Sequence, residues 1–177
     1  GQATLVLTSF EIHDRVAITA HRGSSFKAPE NTLAAIEQAI VDGADYVEID
    51  VRLTQDNRVV LSHDDNLLRL TGLNQRLSEM TLEEARKVDI GSWFGDAYIG
   101  ERIPSLDEAL AATRGRINLY IELKPAAGDT ETLVAAVIDR LPEARHDEVF
   151  MASMSPAVVR EIQRQASYLR TVLFAQF

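Results

Sequence analysis

Tyr46-Val47-Glu48-Ile49-Asp50-Val51 is the segment with the clearest chemical meaning. A β-strand alternates its faces with period two, so this spacing predicts Glu48 and Asp50 on one face and Val47, Ile49 and Val51 on the other. Two carboxylates side by side in an otherwise apolar strand repel each other, and burial disfavours both ionised forms. A cation between them removes both penalties, and hard oxygen ligands suit Mg2+ or Ca2+. The competing reading is a solvated strand end with an exposed pair. Ile121-Glu122-Leu123-Lys124 repeats the pattern. It offers Glu122 as a third ligand and Lys124, on the same face, as a partner for a phosphate oxygen. A local Glu122–Lys124 ion pair is the plainer alternative.

His21-Arg22-Gly23 follows the first apolar run, and His63-Asp64 the third. An imidazole beside a guanidinium suits acid–base work on a phosphate, and the arginine fork matches phosphate oxygens in a bidentate way. Gly23 permits a tight turn or a close approach of the backbone to a ligand. Asp64 either orients His63 or caps the following loop. His13 and His146 have no comparable setting and read as surface residues.

The elements that would position these groups alternate between strand and helix. Strands are predicted over Arg15–Ala20, Asp45–Leu53, Arg58–Ser62, Arg116–Leu123, Glu148–Ala152 and Arg170–Ala175. A helix carrying Leu33, Ile36 and Ile40 on one face starts from Asn31 as N-cap and stops at Gly43. Ser105 with Glu108, and Thr81 with Glu84, form capping boxes, the latter opening a short helix over Leu82–Lys87. Further helices are predicted from about Thr130 to Leu141 and from Pro156 behind Ser155. This alternation implies a largely parallel sheet. The stretch from Asp64 to Arg102 exceeds a plain loop and reads as an insertion. His21, Glu48, Asp50, His63, Glu122 and Lys124 all fall at or near the C-terminal ends of predicted parallel strands, where active sites of α/β folds gather.

Composition narrows the partners. A net charge of −9 argues against a nucleic-acid partner and against electrostatic docking on an anionic membrane. The absence of cysteine excludes disulfides and thiol chemistry without assigning a compartment. No apolar run approaches the roughly 18–20 residues that span a bilayer. Gly1–Phe10 lacks the basic start and cleavage site of a signal peptide. The chain as given therefore reads as soluble, with no address written in it.

Taken together, His21-Arg22-Gly23, Ala28-Pro29-Glu30-Asn31-Thr32, Glu48-Ile49-Asp50-Val51, Thr54, His63-Asp64, Ile103-Pro104-Ser105-Leu106 and Ile121-Glu122-Leu123-Lys124 resemble the signature of the glycerophosphodiester phosphodiesterase family. The resemblance runs from about Val16 to the C-terminus, with residues 1–15 as an extension or linker. It implies a TIM-type (β/α) barrel with a small insertion at about 64–102. It implies metal-dependent hydrolysis of glycerophosphodiesters to sn-glycerol 3-phosphate and an alcohol. By the same resemblance Glu48, Asp50 and Glu122 hold one divalent cation, Mg2+ or Ca2+. His21 and His63 are the general acid and base, in an order the sequence leaves open, and Arg22 and Lys124 bind the phosphate.

Length conflicts with a complete barrel. The chain has 177 residues, whereas such barrels need at least about 200 and typically about 250. The barrel is therefore expected to be truncated after about six strands. Its open edges would be covered by a second copy, a swapped segment or the residues before Val16. Asp89–Phe94 resembles family members that carry a membrane domain ahead of the barrel, and Leu5–Phe10 would then end a connection to such a domain in a longer parent chain. Two other functions compete. One is phospholipase D-type action on lysophospholipids, with Trp93 and Phe94 as an apolar patch or as core. The other is an inactive metal- or phosphate-binding fragment.

Overall fold

The structure, a computed structural model, describes residues 16–175. The expectations for residues 1–15, including His13 and the Leu5–Phe10 connection, lie outside the described residues.

Period-two strands and 3.6-period helices alternate as their sequences dictate. The order is β1 (Thr19–His21), α1 (Leu33–Val41), β2 (Tyr46–Leu53), β3 (Val59–Leu61), α2 (Leu68–Thr71), α3 (Leu82–Ala85), α4 (Leu106–Thr113), β4 (Asn118–Leu123), α5 (Thr130–Arg140), β5 (Val149–Ser153), α6 (Pro156–Gln165) and β6 (Arg170–Leu173). The sheet runs β1-β2-β4-β5-β6, each neighbouring pair parallel. It is not closed: β1 and β6 form its edges among the described residues.

The strands' apolar positions, Val47, Ile49, Val51, Leu119, Ile121, Leu123, Val149 and Met151, form one core with Ile36, Leu106, Leu133 and Ile162 of the helices. Helices α1, α4, α5 and α6 thus cover one face, each touching the next. The other face carries the polar and aromatic positions. Tyr46, Tyr120 and Phe150 cluster there, with Tyr120 and Phe150 stacked 4.9 Å apart. The guanidinium of Arg170 sits 4.0 Å above the Phe150 ring.

β3 departs from expectation. It pairs antiparallel with β2, Val51 opposite Leu61 and Leu53 opposite Val59. Only residues 54–58 separate the two strands, while a parallel connection needs a crossover of about a dozen residues or more. Asn57, at φ 56°, makes the turn, and Thr54 ties it by accepting from the Arg58 N–H at 3.0 Å. The consequence is positional. β2 overshoots the sheet, and β3 returns until Ser62 N donates to the Asp50 carbonyl at 3.0 Å. The chain is thereby brought back level with Asp50 immediately before His63.

The segment between β3 and α4 packs on a smaller cluster of Val60, Leu67, Leu77, Met80, Ala85, Val88, Ile90 and Ile103. Both predicted capping boxes are present, at Thr81 with Glu84 and at Ser105 with Glu108. The N-cap of α1 is Thr32 rather than Asn31: Thr32 Oγ1 accepts from Ala35 N at 3.1 Å. Asn31 is taken up elsewhere. Among the described residues no helix is long and apolar enough to cross a membrane.

Ile121 is fully buried at the centre of the sheet. Ile121→Ala should lower the unfolding free energy by about 2–5 kcal/mol, measured by urea denaturation. A loss well under that range would mean that the sheet–helix core relaxes around the cavity.

Candidate active site

Glu48, Asp50 and Glu122 form a triad whose carboxylate oxygens lie within 4.8 Å of one another. Strand register creates it: Asp50 is directly opposite Glu122 on β4, and Glu48 is one step below Asp50 on the same face. All three side chains are buried in the middle of the sheet. Glu48 Oε1 and Asp50 Oδ1 have no hydrogen-bond partner. Burial, then repulsion from Asp50 and Glu122, pushes the Glu48 carboxyl well above its ordinary value. Burial and Asp50 raise Glu122 too, while Lys124 pulls the other way. Negative charge is thus concentrated here with too few partners to satisfy it.

Two cations flank the triad. Lys124 Nζ is 3.2 Å from Glu122 Oε1 and 3.8 Å from Asp50 Oδ1. Arg22 Nε is 3.5 Å from Asp50 Oδ2 and has no hydrogen-bond partner of its own. The loop after β1 gives Arg22 this position. Arg22 sits at φ 57° and Gly23 at φ 78°, and a Cβ on Gly23 would lie 2.6 Å from the Ala35 Cβ, so only glycine lets the loop pack on α1. The Arg22 backbone N donates to Glu48 Oε2 at 2.9 Å. Asn31, also at positive φ, donates from Nδ2 to Asp50 Oδ2 at 2.9 Å and accepts from Asp50 N at 3.1 Å. The loop is stapled to the end of α1 by Asp42, which accepts from Ser24 Oγ and Lys27 Nζ at 2.7 Å each and from Gln38 Nε2 at 2.9 Å.

The two histidines come from different elements. His21 Nε2 lies 3.7 Å from Glu48 Oε2. Burial, then the Arg22 charge, lowers its pKa, and the charge of His63 adds to the effect. His63 Nδ1 is 2.8 Å from Asp64 Oδ1, so Asp64 does orient the ring. Burial works against ionisation of Asp64, yet the hydrogen bonds from His63 and Arg69 hold its carboxyl below the ordinary range. Arg52 fixes the backbone on both sides: Nε and Nη2 donate to the His63 carbonyl at 2.9 and 2.6 Å, and Nη1 to the Lys124 carbonyl at 3.2 Å.

The structure thus brings His21, Arg22, Glu48, Asp50, His63, Glu122 and Lys124 to one end of the sheet. His146 lies elsewhere, against Tyr168. Sequence reasoning missed four supporting residues: Glu30, Asn31 in its true role, Arg52 and Arg69. Arg52 had a signal, since it continues the Glu48, Asp50 alternation. Trp93, 47% exposed, and Phe94 pack edge to face, with Phe94 in turn against Tyr98.

The family model described as the glycerophosphoryl diester phosphodiesterase family matches residues 21–176. This chain belongs to the glycerophosphoryl diester phosphodiesterase family. It is similar to the glycerophosphodiester phosphodiesterase of Caldanaerobacter subterraneus, 35% identical over 167 residues, covering 92% of this chain and 68% of the relative. The Bacillus subtilis glycerophosphodiester phosphodiesterase is 31% identical over 173 residues, covering 90% of this chain and 59% of the relative. Among solved structures, an Oleispira antarctica phosphodiesterase in complex with the product sn-glycerol-3-phosphate matches with a TM-score of 0.81 and 35% identity, covering 86% of this chain and 63% of that one. The chain spans about half to two thirds of the length of the curated relatives it matches. As a glycerophosphoryl diester phosphodiesterase family chain it shares their barrel fold, with the sheet open between β1 and β6.

The Asp42 staple can be read by pH. Its three donors, led by Lys27, lower the carboxyl from 3.8 to about 2. Because the folded value is depressed, its contribution to stability is complete above the ordinary value and is lost as pH falls toward about 2. Carbon-13 NMR should show the Asp42 carboxyl titrating near that lower value; a midpoint at 3.8 would mean that the staple does not persist in solution.

Proposed function

We propose that this chain hydrolyses glycerophosphodiesters, such as glycerophosphocholine, to sn-glycerol 3-phosphate and an alcohol. One observation carries the reading. A buried carboxylate triad, two of its oxygens without a hydrogen bond, lies between two cations, with His21 against Glu48 and His63 entering where Ser62 binds the Asp50 backbone, in a chain of this family. The product complex of the Oleispira relative supports the substrate class. The domain is read as residues 16–177, with an insertion at about 64–102 and residues 1–15 as an extension or linker.

The donor set fits a hard divalent cation. It is all oxygen, its two orphaned atoms are buried, and its charges otherwise repel. Glu48, Asp50 and Glu122 would hold Mg2+ or Ca2+. When bound, the cation would offset two of the three carboxylate charges and polarise a phosphoryl oxygen. The rest falls to the protein's own groups. Arg22 and Lys124 bind the phosphate and stabilise charge that builds on its oxygens. One histidine takes the proton of the attacking hydroxyl or water, and the other gives a proton to the leaving alcohol. For His63 the exchanging atom is Nε2, because Nδ1 faces Asp64.

A second reading keeps this chemistry and changes the substrate to a lysophospholipid. Phe26 is 89% exposed and Ile99 65% exposed, and their loops are joined by Tyr98 Oη donating to the Lys27 carbonyl at 2.9 Å. Phe26 thus stands exposed on the loop that follows His21, with Ile99 and Trp93 exposed on the segment tied to that loop.

The test is release of glycerol 3-phosphate by the 177-residue chain with Mg2+, Ca2+ or EDTA, beside lysophosphatidylcholine micelles. Turnover should require the cation, and His21→Ala should reduce it by about 100- to 10,000-fold. Turnover of micelles alone would move the assignment to the lipid substrate. Turnover of neither would leave an inactive fragment. Independently of activity, saturating cation at about a hundred times its Kd should stabilise the fold by about 2.7 kcal/mol. Asp50→Asn should abolish that gain in a thermal melt.

Self-association belongs to the same reading, because Ile18 at the β1 edge and Leu173 at the β6 edge are 61% and 51% exposed. Sedimentation should show a mass that rises with concentration. A monomer at every concentration, with both edges bare to hydrogen exchange, would remove this part.

A further inference from the structure

Arg69 lies on α2, in the segment that follows His63. All three nitrogens of its guanidinium are engaged. Nε donates to Asp64 Oδ2 at 2.6 Å, while Nη1 and Nη2 donate to Glu30 Oε2 and Oε1 at 3.1 and 2.5 Å. Each carboxylate then reaches one group of the site. The other oxygen of Asp64 is 2.8 Å from His63 Nδ1. The two oxygens of Glu30 accept from Arg22 Nη1 at 3.3 Å each. An unbroken series of contacts therefore runs from His63 through Asp64, Arg69 and Glu30 to Arg22.

We propose that Arg69 is a positioning residue that sets the ring of His63 and the fork of Arg22 together, acting through Asp64 on one side and Glu30 on the other. A carboxylate that accepts through one oxygen only can turn about its own bond. With Oδ2 of Asp64 taken by Arg69, Oδ1 is left facing His63, which holds the Nδ1–H tautomer and leaves Nε2 for the substrate. Glu30, buried between two guanidiniums, serves Arg22 in the same way. It takes Nη1 and so leaves Nε directed at the triad, 3.5 Å from Asp50. A lysine at position 69 carries a point charge without the fork and cannot hold both carboxylates in this geometry. Arg69 is 46% exposed on its side chain, so its replacement opens no cavity in either core. The bland alternative is a surface ion-pair network that adds a little stability and nothing else.

The rate part of the test rests on the hydrolase reading, and the spectroscopic part does not. The 177-residue chain with nitrogen-15 histidine is compared with Arg69→Gln and Arg69→Lys. In the unmutated protein the neutral His63 ring should show a single Nδ1–H tautomer; in folded Arg69→Gln it should show a mixture. For glycerophosphocholine, kcat should fall by about 10- to 100-fold, with KM and the calorimetric affinity for Mg2+ each within about threefold. Arg69→Lys should recover only part of the rate. An unchanged His63 spectrum in folded Arg69→Gln overturns the proposal, as does full recovery by lysine. If Arg69→Gln does not fold cooperatively, Arg69→Lys carries the same spectral comparison. If the unmutated chain turns over no substrate, the hydrolase reading fails, and the imidazole spectra still decide the role of Arg69.

Discussion

Three buried carboxylates offer oxygens within 4.8 Å of one another, and many of the molecule's polar contacts are organised around them. Burial and mutual repulsion both work against their ionised forms. Much of the surrounding chain is arranged to make that cluster tolerable. Asn31 gives Asp50 a donor and takes one from it, the Arg22 backbone gives Glu48 a donor, and Lys124 stands against Glu122. Even so, two oxygens remain without a hydrogen bond. A site that satisfied every atom internally would have nothing left for a ligand. The incomplete satisfaction is what makes the cluster chemically available.

Holding such a cluster requires a rigid support, and the two faces of the sheet divide that work. The apolar positions of β2 and β4 lock the strands against four helices. The alternate positions are thereby fixed in height and direction, so that Asp50 and Glu122 meet across the register. Below them the stacked rings of Tyr120 and Phe150 line the polar face at the level of Glu48. Above them Arg52 ties the backbones of His63 and Lys124. Charge, aromatic lining and backbone clamp occupy successive steps of the same strands.

Much of this was legible in the sequence, for identifiable reasons. The period-two alternation at Glu48 and Asp50, and again at Glu122 and Lys124, is local, so the residues alone place these groups on one face. The helix caps at Thr81 and Ser105 depend on contacts three residues away and were equally readable. What was not legible depends on partners far along the chain. Asn31 has the composition of a helix cap, but Asp50, 19 positions on, claims its side chain, and Thr32 caps instead. Glu30 and Arg69 meet across 39 positions with no periodicity to announce it. The direction of β3 is a different case: the five-residue link 54–58 is too short for a parallel crossover, and its length was available from the start.

The charged groups of the site come from β1 to β4, the loops beside them and α2. At the level where Asp50 faces Glu122, the next two strands contribute only Ala152 and Val172. At this level the sheet is therefore divided into a charged half and a neutral one, and the charge on the β5–β6 side, Arg170, lies one step below against Phe150. Change at the neutral positions alters the shape of the space beside the carboxylates without disturbing their charge balance. Such a partition separates the residues that shape the space beside the carboxylates from those that carry its charge.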